Sequence, residues 1–269
     1  MTDSIEVVYE RRGVGSPLVL LHGIGHRWQA WSPVLDRLAE HHDVIAVDLP
    51  GFGASPLAAD RDYTMTGAVE MAVEMFTSFG LDRPHVAGNS LGGVLSIELA
   101  SRGLVRSATA LAPAGFWSAR DRAWALYVLT MIRAGARGPA WLRTALVNRK
   151  LSRMLGACML YGRPSSLLAA EVLADMTALA AAPAFDLVAR AGRNYVFAGP
   201  APTVPTTVVW GSRDRILWPR QARRAALLLP EATHVMLPGC GHVPMSDDPT
   251  RIADLILATC ARAALDTAA

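Results

Sequence analysis

Short apolar runs and longer amphipathic stretches alternate along this chain. Pro17-Leu18-Val19-Leu20-Leu21 and Asp43-Val44-Ile45-Ala46-Val47 are near-continuous apolar runs, the pattern of strands buried on both faces. Three further runs read the same way: the one opening at Pro84, Ser107 to Ala112, and Pro205 to Trp210; Thr233 to Leu237 reads as the last strand. Ile5 to Glu10 partly alternates and reads as an outer strand. Helical spacing falls between these runs, over Trp31–Ala39, Thr64–Phe79 (with Gly80 near its C-cap), Val94–Ala100, Pro219–Leu229 and Pro249–Ala264. Such alternation predicts a mostly parallel sheet with helices on both faces, and in these sheets ligands sit beyond the carboxyl ends of the strands.

The alternation stops after Gly115. From Phe116 to about Ala198 no strand pattern occurs, and four helices are predicted: Ser118–Ala134, Pro139–Leu155, Ser165–Ala181 and Phe185–Tyr195. Glycines and prolines separate them. The chain therefore divides into a core, residues 1–115 and 200–269, and an all-helical insertion, residues 116–199. The insertion is rich in Trp, Tyr and Met, including Trp117, Trp124, Tyr127, Met131, Trp141 and Tyr195. Most of these are expected to pack the helices together. Some would line a pocket for a greasy substrate.

The fourth predicted strand ends in Gly88-Asn89-Ser90-Leu91-Gly92-Gly93 and a helix follows at once. A G-x-S-x-G turn between strand and helix is a nucleophile elbow, in which small flanking residues let strand and helix approach and the helix N-terminus favours developing negative charge. The five residues alone are equally compatible with a glycine-rich turn carrying an incidental serine. A serine hydroxyl becomes a nucleophile only with a base to take its proton and an acid to orient that base. The chain supplies Asp214 and His242, each just past a predicted strand, in the order Ser, Asp, His.

Composition narrows the classes further. The chain has 269 residues, 52% apolar and 18% charged, enough for one large α/β domain with an insertion. The net charge of +3 comes from scattered arginines, with Lys150 the sole lysine; no basic stripe with interleaved aromatics points to nucleic acid. Met1 to Glu6 lacks the pattern of a signal peptide, and no apolar run reaches the roughly 18 residues of a membrane span. Cys158, Cys240 and Cys260 form neither a disulfide framework nor a metal set, so no metal or cofactor is expected and the cytosol is the expected compartment.

Five separated pieces carry a family resemblance: His22-Gly23-Ile24-Gly25, Asp48-Leu49-Pro50-Gly51-Phe52-Gly53-Ala54-Ser55, the elbow, Gly211-Ser212-Arg213-Asp214, and Gly241-His242-Val243-Pro244. In these the chain resembles the α/β-hydrolase fold superfamily, within its lid-bearing serine esterase and C–C hydrolase-like group. The resemblance implies an α/β-hydrolase fold with the insertion as lid. It implies Ser90 as nucleophile, His242 as base and then acid, and Asp214 as orienter, with the backbone N–H groups of Ile24 and Leu91 as the oxyanion hole. His22 and Asp48 would brace their loops. Asn89, shared with some C–C hydrolases of aromatic ring cleavage, would touch substrate or merely suit the turn.

Serine at the elbow argues against haloalkane dehalogenase and epoxide hydrolase, whose members carry aspartate there. The expected reaction is hydrolysis of a small carboxylic ester with an apolar acyl group. Two alternatives stay open: a C–C hydrolase of meta-cleavage type, and a small-ligand receptor on the same fold. Members of the C–C group carry a tryptophan after the catalytic histidine, where this chain has Val243, and a lid arginine, for which Arg153, Arg163 and Arg193 are candidates. Chain length of the acyl group, the alcohol and the oligomeric state are not written in the sequence.

Overall fold

The computed structural model describes residues 5–266; residues 1–4, the start of the segment read as lacking a signal peptide, and 267–269, the end of the expected core, lie outside the described residues. Strands β1 (Tyr9–Arg12), β2 (Pro17–Leu21), β3 (Asp43–Val47), β4 (His85–Asn89), β5 (Ser107–Leu111), β6 (Thr206–Gly211) and β7 (Thr233–Leu237) form one sheet in the order β1-β3-β2-β4-β5-β6-β7. All neighbours are parallel except β1, which runs antiparallel to β3 at the edge. Helices α1 (Ser32–Ala39), α2 (Met65–Ser78) and α3 (Leu91–Ser101) connect the first strands. Between β5 and β6 lie α4 (Ala119–Ala136), α5 (Ala140–Asn148), α6 (Lys150–Ala157), α7 (Ala169–Ala181) and α8 (Phe185–Gly192). The chain then runs through α9 (Arg220–Leu228), α10 (Pro244–Asp247) and α11 (Pro249–Asp266).

Period two along each strand assigns side chains to the two faces. Leu18, Leu20, Val44, Ala46, Ala87 and Val209 pack on one side with residues of α1 and α11, including Leu35 and Ile256. Val19, Leu21, Ile45, Val47 and Val86 pack on the other with Val69 and Met75 of α2 and Leu95 and Leu99 of α3. All four of Leu18 to Leu21 are fully buried, each contributing about 2 kcal/mol by removal from water.

Two expectations shift. The outer strand begins at Tyr9 rather than Ile5, because β1 is set by its pairing from Tyr9 opposite Val47 to Arg12 opposite Val44, and Ile5 turns into the core instead. The helix expected over Pro139–Leu155 is two helices. Arg149 is extended there (φ −85°, ψ 114°), and Arg153 Nη1 donates to the Val147 carbonyl at 2.6 Å.

The insertion is fastened to the core where it begins and is braced within itself. Asp121 in the first turn of α4 is fully buried, forms a capping box with Ser118, and pairs with Arg220 and Arg224 of α9. Burial pushes its pKa up, but the donors from Arg224, Arg220 and Ser118 outweigh that and hold it well below the usual carboxylate range. Arg133 of α4 lies over the Phe185 ring and donates to the Ala182 carbonyl, joining α4 to α8. Among the described residues no single helix is long and apolar enough to cross a membrane; α7 and α8 reach that hydropathy only together, across a 76° bend.

Candidate active site

Ser90 sits between β4 and α3 with φ 57° and ψ −109°, a strained conformation for a residue other than glycine. Its backbone is held on both sides: its N–H donates to Leu111 O at 2.9 Å, and its carbonyl accepts from Val94 and Ala114. The neighbouring glycines are a steric necessity. A Cβ on Gly88 would lie 2.0 Å from the Gly92 carbonyl oxygen, and one on Gly92 would lie 2.1 Å from that of Leu21. Gly93 is less demanding, with nearest approaches of 3.1–3.2 Å.

Asp214, in the turn after β6, and His242, in the loop after β7, meet at the same sheet edge. His242 Nδ1 donates to Asp214 Oδ2 at 2.8 Å, with both side chains nearly or fully buried. Asp214 Oδ1 accepts from the N–H groups of Ile216 (2.9 Å) and Leu217 (2.8 Å), so the carboxylate is fixed by three donors. Asp214 is thus both a turn cap and the partner of the imidazole. Asn89, the residue before Ser90, donates from Nδ2 to the His242 carbonyl at 2.9 Å and to the Leu111 carbonyl at 3.2 Å. It braces the elbow against the histidine loop. Among the described residues His242 Nε2 and Ser90 Oγ make no hydrogen bond, to each other or elsewhere. Such contacts often tighten only when substrate is bound.

Gly23 packs on the elbow, a Cβ there falling 3.2 Å from Ser90 Cβ. Among the described residues the N–H groups of Ile24 and Leu91 have no hydrogen-bond partner, and both residues line one cavity with Ser90. Leu91 is the first residue of α3, so its N–H is one of the orphan donors of a helix start. His22 holds this loop. Its Nδ1 donates to Gly23 O at 2.7 Å and its Nε2 accepts from the Leu49 N–H at 3.0 Å, which fixes the neutral tautomer. Full burial pushes its pKa down to about 3, against a smaller opposing pull from Gly23 O. Asp48 accepts from the N–H groups of Trp28 and Ala54, as its reading as a loop anchor requires. Cys240 is fully buried and burial pushes its thiol up to about 11, so it packs rather than reacts. His42 and His85 are buried too, at Ser16 and Ser107, His85 as the first residue of β4.

Asp247 is a site residue that sequence spacing does not reveal. It is buried and accepts from the N–H groups of Gly162 (2.8 Å), Arg163 (2.7 Å) and Gly241 (2.7 Å), while Arg163 Nη1 donates to its carbonyl. The Leu160 carbonyl accepts from the His242 and Val243 N–H groups. The insertion thus returns to the sheet edge and clamps the histidine loop, and a Cβ on Gly162 would collide with Gly239 O at 2.1 Å. Gly162 and Arg163 lie 85 and 84 residues from Asp247, so no local pattern signals that clamp.

The cavity, about 390 Å³, runs from Ser90 along α3. Met71, Met75, Val94, Leu95, Leu129 and Val188 line it, with Glu98, Arg102 and Tyr195 also on its wall. Tyr195 Oη donates to Glu98 Oε1 at 2.5 Å and Arg102 pairs with the other carboxylate oxygen. Burial and then the Glu98 carboxylate push the Tyr195 phenol well above its usual range. Of the arginines expected as lid candidates, Arg153, Arg163 and Arg193, none lines the cavity. Among the insertion's aromatic and methionine side chains Trp117 and Tyr195 do, whereas Tyr127, Met131 and Trp141 are mostly exposed and do not line it. Among the described residues no three His, Cys, Asp or Glu side chains are grouped to hold a metal.

A serine elbow, a histidine–carboxylate pair and this strand order define a class. Residues 18–255 match the model of the alpha/beta hydrolase family, and the chain belongs to that family. Lipase 3 of Moraxella sp. is 26% identical over 241 residues, covering 86% of this chain and 73% of the lipase. A crystal structure of a bacterial membrane phospholipase A superposes with TM-score 0.76 at 25% identity, covering 97% of this chain and 84% of that one. A meta-cleavage product hydrolase from Pseudomonas fluorescens superposes with TM-score 0.74, covering 95% and 94%, but at 17% identity it shares the fold alone. These relatives support a hydrolase of the α/β family.

Proposed function

We propose that the protein hydrolyses a carboxylic ester with an apolar acyl group through an acyl-enzyme on Ser90. The observation that carries this reading is the apolar cavity that opens at Ser90 and follows α3. From Ser90 to Arg102 the helix advances about 18 Å at 1.5 Å per residue, room for an extended acyl chain whose carbonyl lies at the elbow.

In this reading His242 Nε2 takes the Ser90 Oγ proton as Oγ bonds to the ester carbonyl carbon. The oxyanion that forms meets the free N–H groups of Ile24 and Leu91, worth about 3 kcal/mol each. Asp214 holds the ring with Nδ1–H toward itself and stabilises the imidazolium. His242 then protonates the leaving alcohol oxygen as the carbon–oxygen bond breaks. Water, deprotonated by His242, attacks the acyl carbon, and the carboxylic acid leaves with Ser90 restored. The insertion, residues 116–199, acts as a lid that keeps bulk water from the site. No metal or organic cofactor takes part.

A C–C hydrolase working on an acidic diketone calls for a free cation in the pocket. The candidate lid arginines stand away from the wall, and Arg102 is already paired with Glu98, which favours the ester. Turnover of a p-nitrophenyl ester series, run beside a vinylogous diketone, tests the choice. Ester hydrolysis that Ser90→Ala abolishes is the expected result. Diketone cleavage without ester cleavage would overturn it, as would covalent labelling of Ser90 with no turnover of any ester or thioester, the behaviour of a receptor.

A further inference from the structure

We infer that the outer face of α5 and α6 is a docking surface for an anionic lipid bilayer. The two helices are amphipathic with their apolar sides turned outward. On α5 the buried side carries Val147 and the half-buried Arg143, whereas Trp141 lies on the far side and Leu142 and Leu146 on the flank, all three exposed. On α6 the buried residue is Ala157, and Leu151 and Leu155, one turn apart, face out. Trp141 is 72% exposed, Leu151 69% and Leu155 65%. A water-facing helix normally shows the reverse pattern. Arg143 sharpens the inversion: its Nε and Nη1 are buried without a hydrogen-bond partner while its leucine neighbours lie in solvent.

Charge selects the occupant. The α5–α6 segment carries Arg143, Arg149, Lys150 and Arg153, and the sequence has no acidic residue between Asp121 and Glu171. Arg149 and Lys150 are exposed at the junction of the two helices, beside Leu151. Exposed Trp and Leu flanked by cations, with no acid among them, is the composition of a helix that lies in the interfacial plane of a membrane with negative headgroups. A second copy of the chain is a poor fit, because the charged residues of this face are all cationic and a symmetric contact would bring them together with no acid of the same face to pair them. The inference stands whether or not Ser90 attacks an ester.

Flotation of the full chain with vesicles tests this, using phosphatidylcholine mixed with phosphatidylglycerol against phosphatidylcholine alone. Wild type is expected to float with the mixed vesicles, to release as salt rises, and to float poorly with phosphatidylcholine alone. Leu151→Glu with Leu155→Glu is expected to lower binding about tenfold or more, and Arg149→Glu with Lys150→Glu likewise. Leu227→Glu, at an 81% exposed leucine on α9, is expected to leave binding unchanged. Circular dichroism and thermal unfolding establish that each variant is folded, which substitution at exposed positions favours. The inference is overturned if wild type fails to float with mixed vesicles, if it binds both vesicle types equally, or if the α6 variant binds as wild type does. It is overturned too if light scattering finds a lipid-free dimer that the α6 substitutions dissolve.

Discussion

Along its inner side the helical insertion is tied to the core by polar contacts to buried carboxylates and backbone, whereas its outer side offers leucines and a tryptophan to solvent. Inside, Asp121 pairs with α9, and the Leu160–Arg163 segment shares Asp247 and the backbone of His242 with the core. Outside, α5 and α6 present Trp141, Leu151 and Leu155. The same insertion therefore has two jobs that can be separated by mutation. Its inner contacts hold the histidine loop, and its outer face is the surface proposed to dock on lipid.

The largest effects belong at the sheet edge. Ser90→Ala or His242→Ala should lower ester kcat by about 10⁴ or more with the fold intact, and Asp214→Asn by nearly as much, read from initial rates on the best ester. Below these comes acid. His22 titrates near 6.5 in the unfolded chain but only near 3 when folded, so the unfolded state binds the extra proton between those values. Its contribution is zero above about pH 6.5, and stability falls as pH drops from there toward 3, by on the order of 4 kcal/mol. His85, pushed down to about 4 by burial, adds in the same direction. Urea unfolding across this window should show the fall, and His22→Gln should flatten part of it.

The inner contacts follow. Asp247→Ala leaves three N–H groups without their acceptor, and should cost about 3 kcal/mol in thermal unfolding while lowering kcat/KM as the histidine loop loosens. Loss of stability with unchanged kcat/KM would mean that the clamp does not position His242. Asp121→Ala removes a cap and two half-exposed pairs, for about 2 kcal/mol. The smallest effect is expected outside: Leu151→Glu with Leu155→Glu should stay within about 0.5 kcal/mol of wild type and leave kcat/KM for a water-soluble ester unchanged. A large loss of that activity would break the division between the two faces.

The core was readable because its signals are local. Strands buried on both faces are continuous apolar runs, and the elbow must be small at Gly88 and Gly92 because strand and helix backbones meet there. Asp214 and His242 were readable because each follows a strand by a few residues. The insertion was readable only as helices. Which way Leu151 and Leu155 face depends on how α6 seats against α5, and the break at Arg149 has no glycine or proline to announce it. The Asp247–Gly162 and Glu98–Tyr195 contacts were invisible for the same reason, spanning 85 and 97 residues.

Fluorophosphonate labelling followed by peptide mass spectrometry tests the central claim most directly. The adduct should fall on Ser90 in wild type, fade strongly in His242→Ala, and vanish in Ser90→Ala. Wild-type protein that stays unlabelled, or an adduct that persists undiminished once Ser90 is replaced, would contradict it.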